Sequence, residues 1–354
     1  MSHAALIVDV AGPELQPHEK RRLRDPLVGG VVLFARNFAS RAQLVALCAA
    51  LKAARADLLI SVDHEGGRVQ RFRSDGFTPL PAMAALGRLW QRDAMDAVQV
   101  AAACGLVLGA ELRACGVDLS FAPVLDLDWS RSTVIGERAL HADARVVTLL
   151  AQALIGGMQR AGLSHCAKHF PGHGWALADS HVDAPRDTRG LRALRAADAA
   201  PYGWLRHTLR AVMPAHVVYG RVDAMPAGFS ARWLRDELRE HFGFSGAIFS
   251  DDLNMQAARV LAADDADRVL LALRAGCDLA LLCNQSVVDR GAPLDLALRR
   301  LHAARNAGDW VADADADAEQ RRRALLALQP PLPWDALMRD AAYRSALDAL
   351  ERAS

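Results

Sequence analysis

Short apolar runs rich in strand-forming residues alternate along the chain with longer stretches of helical periodicity. The runs lie at 4–10, 30–35, 58–63, 117–122, 163–168, 211–216, 246–251 and 278–283. They are almost continuously hydrophobic, as parallel strands covered on both faces are. Helix signals fall between most of them. Ser40 is placed to cap a helix running to about Ala54. A long pattern runs from about Asp93 to Cys115. Asp143 opens a segment ending near Gly162, Ser230 opens one ending near Gly243, and Asn254 opens one ending at Gly276. This alternation predicts a parallel α/β fold, and a count of eight strands favours a closed (β/α)8 TIM barrel over an open sheet. No G-x-G-x-x-G follows the first run, which argues against a dinucleotide-binding fold. After about residue 300 the chain becomes Arg/Ala-rich and helical, broken by Gln329-Pro330-Pro331-Leu332-Pro333. The expectation is one domain: a barrel over 1–300 and a helical extension over 301–354 packed on it.

Barrels of this type carry their active sites at the C-terminal ends of the strands. Ionisable residues gather there. The third run ends in Asp63, followed by His64 and Glu65. The fourth leads to Asp126, Asp128 and Arg138. The fifth ends in Lys168-His169, with Asp179-Ser180-His181 farther on. The sixth ends at His216 and the seventh in Ser250-Asp251-Asp252. Glycosidic bond cleavage needs a carboxylate against the developing oxocarbenium ion and a donor for the leaving oxygen. Asp251 and Asp252 are neighbours, so strand alternation lets only one face the barrel mouth and leaves open which. Imidazole exchanges protons near neutral pH, and an aspartate such as Asp179 fixes the tautomer of a histidine such as His181. Asp63, Arg71, Arg138, Lys168 and His169 are suited to gripping hydroxyls. Taken singly, each also reads as a rim salt bridge, and Asp179 with His181 as a surface pair. Gly66-Gly67 suits a tight turn or a close backbone approach. His165 reads as a core or rim histidine.

Composition narrows the classes. Hydrophobic residues make up 52% of the 354, enough for a large core. Lys and Arg total 42 against 41 acids, a net charge of +1, so neither nucleic acid nor a membrane surface is an expected partner. The six cysteines form no C-x-x-C pair and suit reduced, packed thiols. Residues 1–10 show no signal-peptide pattern, and no long uncharged apolar run stands out. The expectation is a cytoplasmic monomer acting on a small-molecule substrate.

Together the segments resemble glycoside hydrolase family 3, over roughly residues 5–290. The likeness is to its single-domain bacterial β-N-acetylglucosaminidases of peptidoglycan recycling. It rests on Val62-Asp63-His64-Glu65-Gly66-Gly67-Arg68-Val69-Gln70-Arg71, on Phe121-Ala122-Pro123-Val124-Leu125-Asp126, on Lys168-His169-Phe170-Pro171-Gly172-His173-Gly174 with Asp179-Ser180-His181, and on Phe249-Ser250-Asp251-Asp252-Leu253-Asn254-Met255. The resemblance implies a retaining exo-β-N-acetylglucosaminidase without metal or cofactor. Asp251 would be the nucleophile and His181, partnered by Asp179, the general acid/base. Asp63, Arg71, Arg138, Lys168 and His169 would hold the terminal sugar of a muropeptide or amino-sugar oligosaccharide. Gly172 and Gly174 would give the His181 loop room to move. The chain departs from the pattern at His64, where Gln is usual, at Ile135-Gly136-Glu137-Arg138-Ala139-Leu140, and at Asn254, where Ser is common. The competing readings are a metal-dependent hydrolase using His169-x-x-x-His173, a noncatalytic sugar-binding barrel, and phosphorolysis in the same site.

Overall fold

The computed structural model describes residues 3–176, 185–310 and 315–353. Barrel strands form where the apolar runs lie: β1 (Leu6–Asp9), β2 (Val28–Leu33), β3 (Leu59–Val62), β4 (Leu119–Ser120), β5 in two pieces (Ser164–His165 and Ala167–Phe170), β6 (Ala211–Pro214), β7 (Ala247–Asp252) and β8 (Leu279–Leu282). All neighbours pair in parallel, and β1 pairs with both β2 and β8. The first piece of β5 pairs with β4 and the second with β6. The sheet therefore closes through Cys166, whose N–H lies 3.1 Å from Ser120 O and 3.0 Å from Ala122 O. The fold is the expected (β/α)8 barrel.

Inward-facing side chains fill the barrel. Ile7, Val32, Leu59, Leu119, Phe121, Met213, Phe249 and Leu281 form one buried cluster. Leu325, from the C-terminal extension, joins them and is 1% exposed. It enters at the N-terminal ends of the strands: Arg322 beside it is buried and donates to Gly29 O, at the start of β2, and to Asp57 O, just ahead of β3. Farther on, Tyr343 donates to the buried Glu111 at 2.7 Å. The helix Ala292–Asn306 runs across residue 300, so the chain after it supplies these contacts.

The helix starts at Ser40, Asp93 and Asp143 form as expected, each with the side chain accepting a first-turn N–H. The segment from Asn254 differs. It divides into Gln256–Arg259 and Asp265–Ala275, and Asp264 caps the second by accepting from Ala266 and Asp267 N–H. Asn254 instead donates to Cys283 O and accepts from Arg268. The segment from Ser230 is a π-type helix, Arg232–His241. All six cysteines are buried and unpaired.

The helix Ala94–Ala114 is long and apolar enough to cross a membrane, but 67% of its most apolar stretch is buried inside the protein. It packs closely on Ala144–Arg160: a Cβ on Gly105 would lie 1.9 Å from Leu154 O, whereas one on Gly156 would meet nothing within 4 Å. Gly105→Ala is therefore expected to destabilise the fold by about 1–3 kcal/mol through overpacking. Gly156→Ala should be neutral or stabilising by about 0.5–1 kcal/mol. Urea denaturation midpoints of the two variants check this contrast.

Candidate active site

At the C-terminal ends of the strands a cavity of about 300 Å³ opens, lined by Phe34, Asp63, Glu65, Arg71, Arg138, Lys168, His169, His173, Asp251 and Asp252 together with apolar residues. All five expected sugar-gripping residues and Asp251 meet here. A larger hollow of about 450 Å³ lies beside the start of β8, where Arg239 and Arg321 pair with Asp278, away from these groups.

Local structure explains the convergence. After β3, a small hairpin pairs His64–Gly66 with Val69–Gln70. Its turn uses Gly66 and Gly67 at φ 122° and 52°, a region that glycine occupies freely. The Gln70 side chain fastens it, donating to Phe72 O and Thr78 O and accepting from Leu80 N–H. This carries Arg71 back to the pocket, 3.5 Å from Asp63 Oδ2. On β5 the pairing with β6 steps from Lys168 to Phe170 while β6 advances by one residue, so His169 is the extra residue of a bulge. Such a bulge re-aims side chains, and Lys168 and His169 both reach the cavity.

Lys168 is the hub. Its Nζ lies 2.6 Å from Asp63 Oδ1 and 2.6 Å from Glu65 Oε1. Glu65, 2% exposed, also accepts a two-pronged bond from Arg138 at 2.9 and 2.8 Å. Burial pushes the Asp63 pKa up, but the charge and hydrogen bond of Lys168, then Arg71 and Arg138, bring it down to about 2. Burial likewise opposes ionisation of Glu65, and Lys168 and Arg138 outweigh it. His169 Nδ1 lies 2.7 Å from Asp126 Oδ2, and Asp126 Oδ1 accepts the His173 N–H at 2.7 Å. The rings of His169 and His173 meet edge-on at 5.9 Å.

Strand alternation does not hold at Asp251 and Asp252. The β7–β8 pairing advances three residues on β7 for two on β8, and both carboxylates line the cavity. They differ in what holds them. Asp252 Oδ1 accepts the N–H groups of Asn254 and Cys283. Burial raises its pKa, the Asn254 bond lowers it, and Asp251 raises it again, to about 6. Asp251 accepts from the N–H of Asp252 and has no ion pair among the described residues.

Asp179, Ser180 and His181 lie outside the described residues. The stem before them is tight rather than slack. A Cβ on Gly172 would lie 2.6 Å from Asp198 Cβ, and one on Gly174 would lie 1.9 Å from Leu127 O. These glycines allow close packing of the stem. His64, at the unusual position, is a core residue 5.8 Å from Phe72, its pKa lowered by burial, then Arg73 and Arg71, to about 3. His165 is fully buried, as expected, and accepts from Arg210 N–H. Sequence reasoning placed Glu65 and Asp126 among the ionisable groups at the strand ends and His173 in the metal-site alternative, but gave none of them a role in the proposed sugar site; all three stand inside the motifs quoted above.

A family model described as the glycosyl hydrolase family 3 N-terminal domain matches residues 5–325. The chain belongs to glycosyl hydrolase family 3. Among its relatives in the family is a beta-hexosaminidase of Bordetella avium, 53% identical over 343 residues, covering 96% of this chain and 93% of that one. One of Bordetella pertussis is 54% identical with the same coverage. The solved structure of NagZ from Neisseria gonorrhoeae in complex with N-trifluoroacetyl-D-glucosamine superposes with a TM-score of 0.88 at 42% identity, covering 100% of this chain and 99% of that one. This family 3 member is accordingly a glycoside hydrolase of the β-N-acetylhexosaminidase type, and the pocket at its barrel mouth is the candidate site for a glycoside substrate.

Two tests follow from the charge network. Glu65→Ala removes the shared anion of two buried cations and should cost about 3–5 kcal/mol of stability, read from chemical denaturation. Asp63 has a folded pKa depressed from 3.8 to about 2. Its ionised form therefore stabilises the fold well above pH 3.8, and that contribution is lost as the pH falls toward 2. The stability gap between wild type and Asp63→Asn should shrink over that window in acid titrations.

Proposed function

We propose that the protein is a retaining exo-β-N-acetylglucosaminidase working by double displacement. Asp251 attacks the anomeric carbon while His181, paired with Asp179, protonates the departing oxygen. Water, deprotonated by His181, then cleaves the glycosyl–Asp251 ester and releases the sugar. The observation that carries this reading is the contrast among the pocket carboxylates. Asp63 and Glu65 are neutralised by cations and Asp252 is tied to backbone N–H groups, whereas Asp251 has no cation of its own among the described residues. It is the group left to meet a developing positive charge.

Asp63, Arg71, Arg138, Lys168 and His169 hold the hydroxyls of the terminal sugar, their orientation set before substrate arrives. A cavity of about 300 Å³ is at the small end for ligand sites and suits one sugar residue, which favours exo action. The relative from Neisseria gonorrhoeae that binds N-trifluoroacetyl-D-glucosamine supports N-acetylglucosamine as that residue. We place the reaction in the cytoplasm, on recycled muropeptides in which N-acetylglucosamine is linked to 1,6-anhydro-N-acetylmuramic acid.

Proton NMR during hydrolysis of an aryl β-N-acetylglucosaminide should show the β-anomer appearing first. Asp251→Ala should lower turnover by about 10⁴-fold or more. First appearance of the α-anomer, or near-normal turnover by Asp251→Ala, would refute the nucleophile assignment. His181→Ala should slow glycosides with poor leaving groups by about 10²–10⁴-fold and activated aryl glycosides far less. Equal slowing of both would remove His181 from the acid role.

A further inference from the structure

Beside the pocket stands a second buried charge cluster that the mechanism does not use. Its centre is Arg189, whose side chain is 13% exposed. Arg189 Nε lies 3.1 and 3.0 Å from the two oxygens of Asp187, and its NH2 lies 2.6 Å from Asp187 Oδ2. NH1 lies 2.6 Å from Asp198 Oδ2. The carboxylates of both partners are fully buried. Two indoles cover the guanidinium, with its carbon 5.0 Å from the Trp129 ring centre and 4.6 Å from that of Trp175. Those rings meet edge-on at 5.1 Å, and Trp129 donates to Asp198 Oδ1 at 2.8 Å.

The elements that meet in this cluster frame one stretch of chain. Trp175 follows His173, a pocket residue, on the way out of β5. Asp187 and Arg189 lie on the way back, where Arg186 and Asp187 pair in parallel with Val218 and Tyr219. Tyr219 also donates to Gly172 O at 2.8 Å. Trp129 follows β4 directly after Asp128, and Asp198 packs against Gly172. One guanidinium thus joins the outgoing and returning stems to each other and to the barrel rim.

We infer that Arg189 is a positioning residue for the hydrolytic reaction: by clamping the two described stems to each other it fixes His173 and the two ends from which the stretch of sequence carrying Asp179 and His181 departs. A fork-shaped cation suits the role, because it pairs two carboxylates and stacks on two rings at once, which an ammonium does not. Displacements of about 1 Å in a catalytic group cost on the order of 10²-fold in rate. The inference rests on the proposed acid role of His181, which lies between the stems.

The test compares wild type, Arg189→Lys, Trp175→Phe and His181→Ala on two β-N-acetylglucosaminides, one with an activated aryl leaving group and one with an alkyl leaving group. Thermal melts run in parallel. Arg189→Lys should lower kcat on the alkyl glycoside by about 10- to 100-fold, with a much smaller loss on the aryl one and little change in KM. Trp175→Phe, which keeps the salt bridges, should show the same selectivity at smaller size and serves if Arg189→Lys does not fold. If His181→Ala is selective but the folded clamp variants slow both substrates equally, or slow neither, the clamp is only structural and the inference fails. If His181→Ala itself shows no selectivity, the acid assignment fails first and the inference falls with it.

Discussion

A single ammonium group organises the mouth of this barrel. Lys168 stands between Asp63 and Glu65, and Glu65 in turn grips Arg138, so charges of opposite sign alternate from the partly exposed Asp63 to the buried Glu65 and on to Arg138. Each member taken out of water alone would neutralise itself or be expelled; together they keep one another ionised. The groups come from three places in the chain: the segment after β3, the strand β5 and the turn Gly136–Arg138. Their mutual attraction fixes the relative heights of those elements. Asp251 lines the same cavity and has no ion pair with the network among the described residues.

The same principle recurs beside the pocket with different chemistry. Around Arg189 the count is reversed: two buried carboxylates share one guanidinium, and indole faces complete its surroundings. The first network presents donors to a ligand. The second faces inward and is satisfied by its own members. One arrangement recognises; the other holds the frame still.

Much of this was legible from the chain. The eight apolar runs became the eight strands, because strands covered on both faces tolerate little else than hydrophobic side chains. Asp63, Arg71, Arg138, Lys168, His169 and Asp251 converge because strand ends in a closed barrel share one rim. Legibility failed where the backbone leaves its regular pattern. The bulges at His169 and near Asp251 turn adjacent residues the same way, and a rule of strict alternation misses both. Gly172 and Gly174 read as freedom in one dimension, yet Asp198 and Leu127 press on them in three. Glu65 was given no role for a similar reason: an acid beside a chosen acid looks redundant until Lys168 is seen bridging them. The break between Gln256–Arg259 and Asp265–Ala275 was marked by Asp264, as good a cap as Asn254, but periodicity ran through it.

Leu325 gives the barrel a floor. With that end packed by side chains, the pocket opens at the other end of the barrel. Under the proposed two-step hydrolysis, a sugar seated at the bottom of such a pocket would leave after the group attached on its open side. The liberated monosaccharide would then stand where the next substrate has to bind, and so compete with it.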